Sequence, residues 1–425
     1  MHQRFPRTLL ALATAVAITP ALGQDSAATK ALEQKLDASL RAVQALQKRV
    51  EQLERKDAPA AAPEAMGARV DAVERTLAQL EAATAAGSQA DTGLPMHGFV
   101  DLGGGVRNKA AASSAPRGFS LGTLDLYMTP QISSQVKGLM EVIFEWGQDG
   151  GVAVDVERLQ LGYVFSDALT LWAGRFHTPY GYWNTAFHHG AQIQTALSRP
   201  KFLEFEDKGG ILPSHSVGLW GTGALNTGLG KLGYDVYLFN GNRIGAGVLD
   251  FQASGDEDGS LGLGFRSSLA LGGSGWTVGL HGMRQRVGGE NADASASGRS
   301  RLNMLGAYAA FDNDDWEAMG EFYRFSNQVQ LGGTGTRNSN AWYAQLGRNL
   351  GAQFTPYARV ERTALDAGDP YFALQDNGKS YRRVVAGLRY NVSPKSALKA
   401  EWMQTTEDGT AAKQGIAAVQ YSVRF

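Results

Sequence analysis

From His97 to the last residue the side chains alternate, apolar against polar, in runs that break and restart about 16 times. A period of two is the mark of a strand whose two faces meet different surroundings. The runs fall near residues 97 to 106, 118 to 129, 133 to 146, 154 to 165, 168 to 176, 214 to 223, 230 to 239 and 259 to 270. The other eight lie near 275 to 286, 300 to 311, 314 to 326, 338 to 348, 351 to 363, 380 to 391, 395 to 407 and 415 to 425. Most are close to the ~9 to 11 residues that a tilted strand needs to cross a hydrocarbon layer. The connections alternate as well. Short turns at Thr129 to Ile132, Ser166-Asp167, Leu271 to Ser274, Asp312-Asn313, Asn349-Leu350 and Val392 to Pro394 separate loops at 107 to 117, 177 to 213, 240 to 258, 287 to 299, 327 to 337, 364 to 379 and 408 to 414. Short turns on one side, long loops on the other and an even strand count predict an all-β fold, a transmembrane antiparallel β-barrel of about 16 strands over 97 to 425.

The two faces of the runs agree with this. Val136, Val142, Phe144 and Trp146 share one phase, as do Val384, Ala386, Leu388 and Tyr390, and Leu398, Ala400 and Trp402. The opposite phase carries Lys137, Glu141 and Glu145, Arg359 and Glu361, Arg383 and Arg389, and Lys399 and Glu401. Charges repeated opposite an apolar band require water, so these residues are expected to face a wet lumen. Sixteen strands enclose a channel wide enough for solutes. The final run, through Ala417, Val419, Tyr421, Val423 and Phe425, places Tyr421 and Val423 toward lipid and ends the chain on an aromatic residue.

Ahead of the barrel the period changes. Arg4 and Arg7, an apolar core from Leu9 to Ile18 and Ala21-Leu22-Gly23 read as a secretory signal peptide over 1 to 23. Leu32, Leu36, Ser39, Val43, Leu46, Val50 and Leu53 then repeat at spacings of 4 and 3, and Met66, Val70, Val73, Leu77 and Leu80 continue the pattern. That heptad seam predicts an α-helical coiled coil, which with its linker fills 24 to 96. The 425 residues carry a net charge of -1 and no cysteine, which gives no reason to invoke nucleic acid and excludes disulfides and thiolate chemistry. No cofactor is called for.

The longest connection, HTPYGYWNTAFHHGAQIQTALSRPKFLEFEDKGGILPS from His177 to Ser214, is too long to be a plain link. Its layout resembles that of general porins, whose third external loop folds inward to narrow the pore. The resemblance implies constriction residues among Arg175, His177, Arg199, Lys201, Glu204, Glu206, Asp207 and Lys208. GRFHTPYGYWN, the earlier HGFVDLGGG and the N-terminal heptads look more specifically like the DcaP-like and phosphate-selective groups of trimeric porins. That likeness implies a homotrimer in the cell outer membrane, with the helical segment in the periplasm. The terminal Phe425 resembles the signal read by the barrel assembly machinery. Partners are then outer-membrane lipid, further copies of the chain, that machinery and small hydrophilic solutes crossing by passive diffusion. The candidate lumen faces carry both signs, so no basic ladder for an anion is visible and the solute stays open.

Other readings weigh less. His188-His189 lacks the i, i+4 spacing of helical metal ligands, and Ser214-His215-Ser216 has no G-x-S-x-G context. A barrel enzyme with a rim site, or a structural or adhesive barrel with a plugged lumen, is the alternative to a porin.

Overall fold

The computed structural model describes residues 96–111, 117–147, 150–187, 190–256 and 259–425. The expected signal peptide, the coiled coil with its linker up to residue 95, and His188-His189 lie outside the described residues. The strands are β1 (Met96–Arg107), β2 (Gly118–Met128), β3 (Val136–Trp146), β4 (Val152–Ser166), β5 (Leu169–His177), β6 (His215–Thr227), β7 (Gly230–Phe239), β8 (Arg243–Gly245) and β9 (Val248–Asp250). They continue as β10 (Gly262–Leu271), β11 (Trp276–Glu290), β12 (Ser297–Asp312), β13 (Trp316–Leu331), β14 (Thr336–Arg348), β15 (Phe354–Ala364), β16 (Tyr381–Ser393), β17 (Ser396–Glu407) and β18 (Lys413–Arg424).

Sixteen of these form the barrel. Each pairs antiparallel with its neighbour in sequence, with β7 joined directly to β10. β1 pairs with β2 on one side and with β18 on the other, from Phe99 opposite Arg424 to Arg107 opposite Ile416, so the sheet closes and has no edge. Phe425 completes the seam: its amide donates to the Gly98 carbonyl at 3.0 Å and its carbonyl accepts from the Gly98 amide at 3.2 Å. The ring of Phe425 lies where a Cβ on Gly98 would come within 2.6 Å of it, which explains a glycine there. All sixteen expected segments are strands. The strands reach further at the long-loop end than alternation indicates, β11 to Glu290 and β13 to Leu331, because the contrast reverses there, with Arg286 and Gln328 outward and Val287 and Val329 buried inward. The 240 to 258 loop contains the β8–β9 hairpin, whose Arg243 and Ile244 pair in parallel with Gly288 and Gly289 of β11.

Residue phase decides which way each side chain points. Leu161, Leu219, Leu305, Val384, Leu398, Trp402 and Tyr421 are exposed on the outside, whereas Tyr323, Tyr343, Arg359, Val385, Lys399 and Ser422 point inward and are buried. Aromatic side chains ring the short-turn end, with Trp276 against Phe311 and Phe354 against Tyr390 at centroid distances of 5.0 and 4.8 Å. Toward the other end the outward columns of β11 to β16 pass through apolar residues and then turn to arginine: Val278, Leu280, Gly282, Arg284 on β11, and Leu388, Ala386, Val384, Arg382 on β16. An arginine at the midplane of a bilayer costs ~2–4 kcal/mol and one near the interface ~0–1, so the switch marks the upper limit of the hydrocarbon band.

The largest buried cluster lies inside the barrel. Tyr180, Trp183, Phe202, Leu203, Ile211 and Leu212 from the β5–β6 connection pack on Tyr323, Phe325, Tyr343 and Tyr381 of the wall.

Candidate functional site

The β5–β6 connection turns into the lumen and is held there along its length. Its neck is closed by the Thr178 amide donating to the Ser214 carbonyl at 2.9 Å and by a 2.8 Å contact between the Thr178 and Ser216 hydroxyls. One helical turn follows, α1 (Trp183–Ala186). Its first amides point at Glu321 of β13: Tyr182 N donates to Oε2 at 2.9 Å and Trp183 N to Oε1 at 2.7 Å. The Tyr323 and Tyr343 hydroxyls donate to the same carboxylate at 2.6 and 2.7 Å. Four donors on one buried carboxylate form a strong, charge-assisted anchor. Gly181 is needed for this approach, since it has φ +61° and a Cβ there would lie 2.1 Å from Glu321 Oε2.

Beyond Gly190 the only regular structure in the connection is two single 3-10 turns, Lys201–Leu203 and Glu206–Lys208, yet much of the stretch is buried, so its peptide groups need partners. The wall supplies them with charge. Lys399 donates to the carbonyls of Ala191 and Ala196, and Arg389 to that of Gln194 at 2.7 Å. Arg359 donates to the carbonyls of Ser198 and Arg199 at 2.9 and 3.0 Å and to the Ser198 hydroxyl at 2.8 Å, with Glu361 and Gln345 taking its other donors. The amides go to carboxylates: Leu197 N and Ser198 N to Glu401 at 3.0 and 3.3 Å, Lys201 N to Glu361 at 2.8 Å. Tyr357 and Tyr381 hydroxyls donate to those two carboxylates at 2.8 and 2.9 Å, and Thr195 donates to Glu317 at 2.7 Å. Five of the nine residues expected to face the lumen, Arg359, Glu361, Arg389, Lys399 and Glu401, thus face it and bind the connection. Glu141 and Glu145 face it on β3, Arg383 donates to Thr405 at 2.8 Å, and Lys137 is exposed at the short-turn end.

The eight residues expected at the constriction separate into two groups. Arg199 is turned into the connection, donating to the Leu203 carbonyl at 2.9 Å and Asn184 Oδ1 at 3.1 Å, with its guanidinium 4.2 Å from the Phe205 ring. Lys201 pairs with Glu407 at 2.9 Å, and burial lowers its ammonium pKa against the pull of that carboxylate. Burial raises the Glu204 carboxyl, with Arg199 opposing it. The others surround a cavity of about 220 Å³ at the long-loop end, lined by Arg175, Glu206, Asp207 and Lys208 together with Glu145, Asp155, Glu157, His215 and Asp250. Arg175 is 3.4 Å from Glu157 and stacks 4.1 Å from the Phe251 ring. Lys208 pairs with Glu145. His177 lies beside it, 3.2 Å from Glu141, which also pairs with Arg158.

Glu157 escapes the sequence reading, which weighs His215 only within Ser214-His215-Ser216 and not as part of this cavity. His215 has Glu206 3.2 Å from Nδ1 and Glu157 at Nε2. Burial alone would push the Glu206 carboxyl up, but His215 outweighs it and holds the carboxyl below its ordinary value. Neither neighbouring serine bonds that ring: Ser214 donates to the Glu204 carbonyl at 3.4 Å and Ser216 is with Thr178. Glu157 is hidden by a register shift between Glu141 and Val142 that breaks the phase of β4. The Glu321 anchor was within reach, because Glu317, Met319, Glu321, Tyr323 and Phe325 keep one phase. At the short-turn end a second cavity, about 510 Å³, is lined by Gln192, Gln353, Arg389, Asn391, Ser393 and Arg424. Among the described residues no group of three or more His, Asp or Glu is placed to hold a metal ion.

No family model matches this sequence, and no curated protein does. Solved structures do. The anion-selective porin of Comamonas acidovorans aligns with a TM-score of 0.55 at 12% identity, covering 78% of this chain and 99% of that one. A loop-deletion form of OmpT, an outer membrane protein of Vibrio cholerae, aligns at 0.54 and 10% identity over 78% and 99%. The outer membrane channel DcaP of Acinetobacter baumannii aligns at 0.51 and 11% identity over 78% and 97%. What is shared at these identities is the closed barrel of the porin fold.

Proposed function

We propose that the protein is an outer-membrane porin, a trimer whose protomers each pass small hydrophilic solutes by diffusion with no catalytic step. The observation that carries this is the connection itself: it is stitched to the β13–β17 wall by paired charges and leaves polar cavities at both ends of the lumen. The heavier anchoring on one wall supports a solute path along the other, past Glu141, Glu145, Glu157, Arg158 and Arg175, where the connection is tied by Lys208 to Glu145. Carboxylates outnumber cations around the outer cavity, which favours cations at that mouth, while Arg389 and Arg424 make the inner mouth basic. A trimer is supported by the neighbours, among them the Vibrio cholerae OmpT described in a trimer form. The test is single-channel recording in planar bilayers. Discrete open steps are expected, and a Glu145→Gln, Asp155→Asn variant is expected to lose cation preference. Folded, inserted protein without steps would reject conduction and leave a plugged barrel.

A further inference from the structure

Outside the barrel, above the apolar band, the surface is neither apolar nor mixed. On β11 to β16 the outward column carries an arginine above the apolar residues on five strands: Arg324, Arg362 and Arg382 directly above them, and Arg286 and Arg301 one outward position further up, above Arg284 and Asn303, with Asn340 directly above the apolar column on β14. Arg284 and Arg299 flank them. Outward carboxylates are absent from this belt, and among the described residues none of these arginines pairs with one; Arg301 alone has a side-chain acceptor, Gln328 Oε1 at 3.2 Å.

The belt is level. Arg382 pairs directly with Arg362, and the same hydrogen-bonded row runs through Trp342, Phe322 and Ala307 to Leu280 on β11, six residues below Arg286. Strands ~4.8 Å apart and tilted by ~40° must climb about 1.2 residues per strand to stay at constant height, hence about six over five strand steps. Arg286 and Arg301, directly paired, therefore stand at the height of Arg362 and Arg382. The far side of the barrel has nothing similar: the matching end of β3 and β4 presents Trp146, Val152, Val154 and Val156.

We propose that this belt binds the phosphate groups of anionic lipid headgroups in the leaflet that surrounds the long-loop end. Planar guanidinium groups suit phosphate bidentately, and here they stand in a row at headgroup height with no internal counter-ion. The inference rests on the barrel's lying in an outer membrane, but its assay reads lipid retention whether or not the channel conducts.

The probe is diphosphorylated lipid A in detergent micelles, with retained lipid counted by native mass spectrometry. Wild type is expected to keep it, to keep phosphate-free lipid A at least tenfold less well, and to lose affinity at least tenfold in the combined variant Arg286→Ser, Arg301→Ser, Arg362→Ser, Arg382→Ser. Heat-modifiable mobility checks folding, and the matching set of four lysine substitutions, which retains the charge, should keep most of the binding. Equal retention of both lipids, or undiminished retention by the serine variant, would overturn the proposal. Binding of inorganic phosphate alone with the same dependence on the four arginines would overturn the assignment to lipid.

Discussion

Replacing Arg359 with methionine tests whether the wall charges hold the β5–β6 connection in place. The guanidinium is fully buried and makes five hydrogen bonds, three of them to Ser198 and Arg199 of the connection. Methionine fills much of the same volume but donates nothing, so two loop carbonyls and one oxygen of Glu361 lose their partner inside the protein. Removing one member of a buried ion pair costs ~3–5 kcal/mol, and each stranded carbonyl adds to it. The barrel's own ladder is untouched, so the loss falls on the state in which the connection is docked. Each 1.4 kcal/mol is tenfold in an equilibrium, so even ~3 kcal/mol moves docked against released by more than a hundredfold. Single-channel recording should then show larger and noisier open currents, and limited proteolysis should cut between Gly190 and Leu203 where wild type resists. Arg362→Met, three residues on and facing outward, should do neither, since exposed substitutions stay within ~0.5 kcal/mol. Wild-type conductance, noise and protease resistance in folded Arg359→Met would refute the claim that these charges fix the lumen.

Two other outcomes follow from the geometry. Gly98→Leu, or removal of Phe425, should lower the yield of heat-modifiable barrel, because the terminal ring occupies the space over Gly98 and its backbone closes the seam. The depressed Glu206 carboxyl contributes stability that is complete above the ~4.3 of a free glutamate and lost as pH falls through its lower folded value. Current noise should therefore rise below about pH 4 in wild type, with Glu157, Arg175 and His215 facing the same contact, and Glu206→Gln should show that noise at neutral pH without the acid step.

What could be read from the sequence is what lipid and water impose together. Leu398, Ala400 and Trp402 against Lys399 and Glu401 cannot exchange faces without placing charge in hydrocarbon, so strand position and phase survive without any knowledge of register. The connection obeys no such rule. Arg199 and Lys208 are both basic residues in one irregular stretch, and only the fold shows that the first is turned into the connection while the second lies at the cavity. The phase of Glu157 is lost to a bulge, and the β8–β9 hairpin is too short for period two to register.

The wiring of the connection also has a consequence in time. Residues between Tyr182 and Phe202 are made early in the chain, but their partners Glu321, Arg359, Tyr381, Lys399 and Glu401 follow by roughly 140 to 210 positions. Contacts of such long sequence separation form late and expose apolar surface while they wait. Trp183, Phe202 and Leu203 can be buried only after β13 to β17 are in place, so a nascent barrel that stalls short of them carries its own interior on display. The connection that narrows the finished lumen is then also the segment by which a protease could tell an unfinished molecule from a complete one.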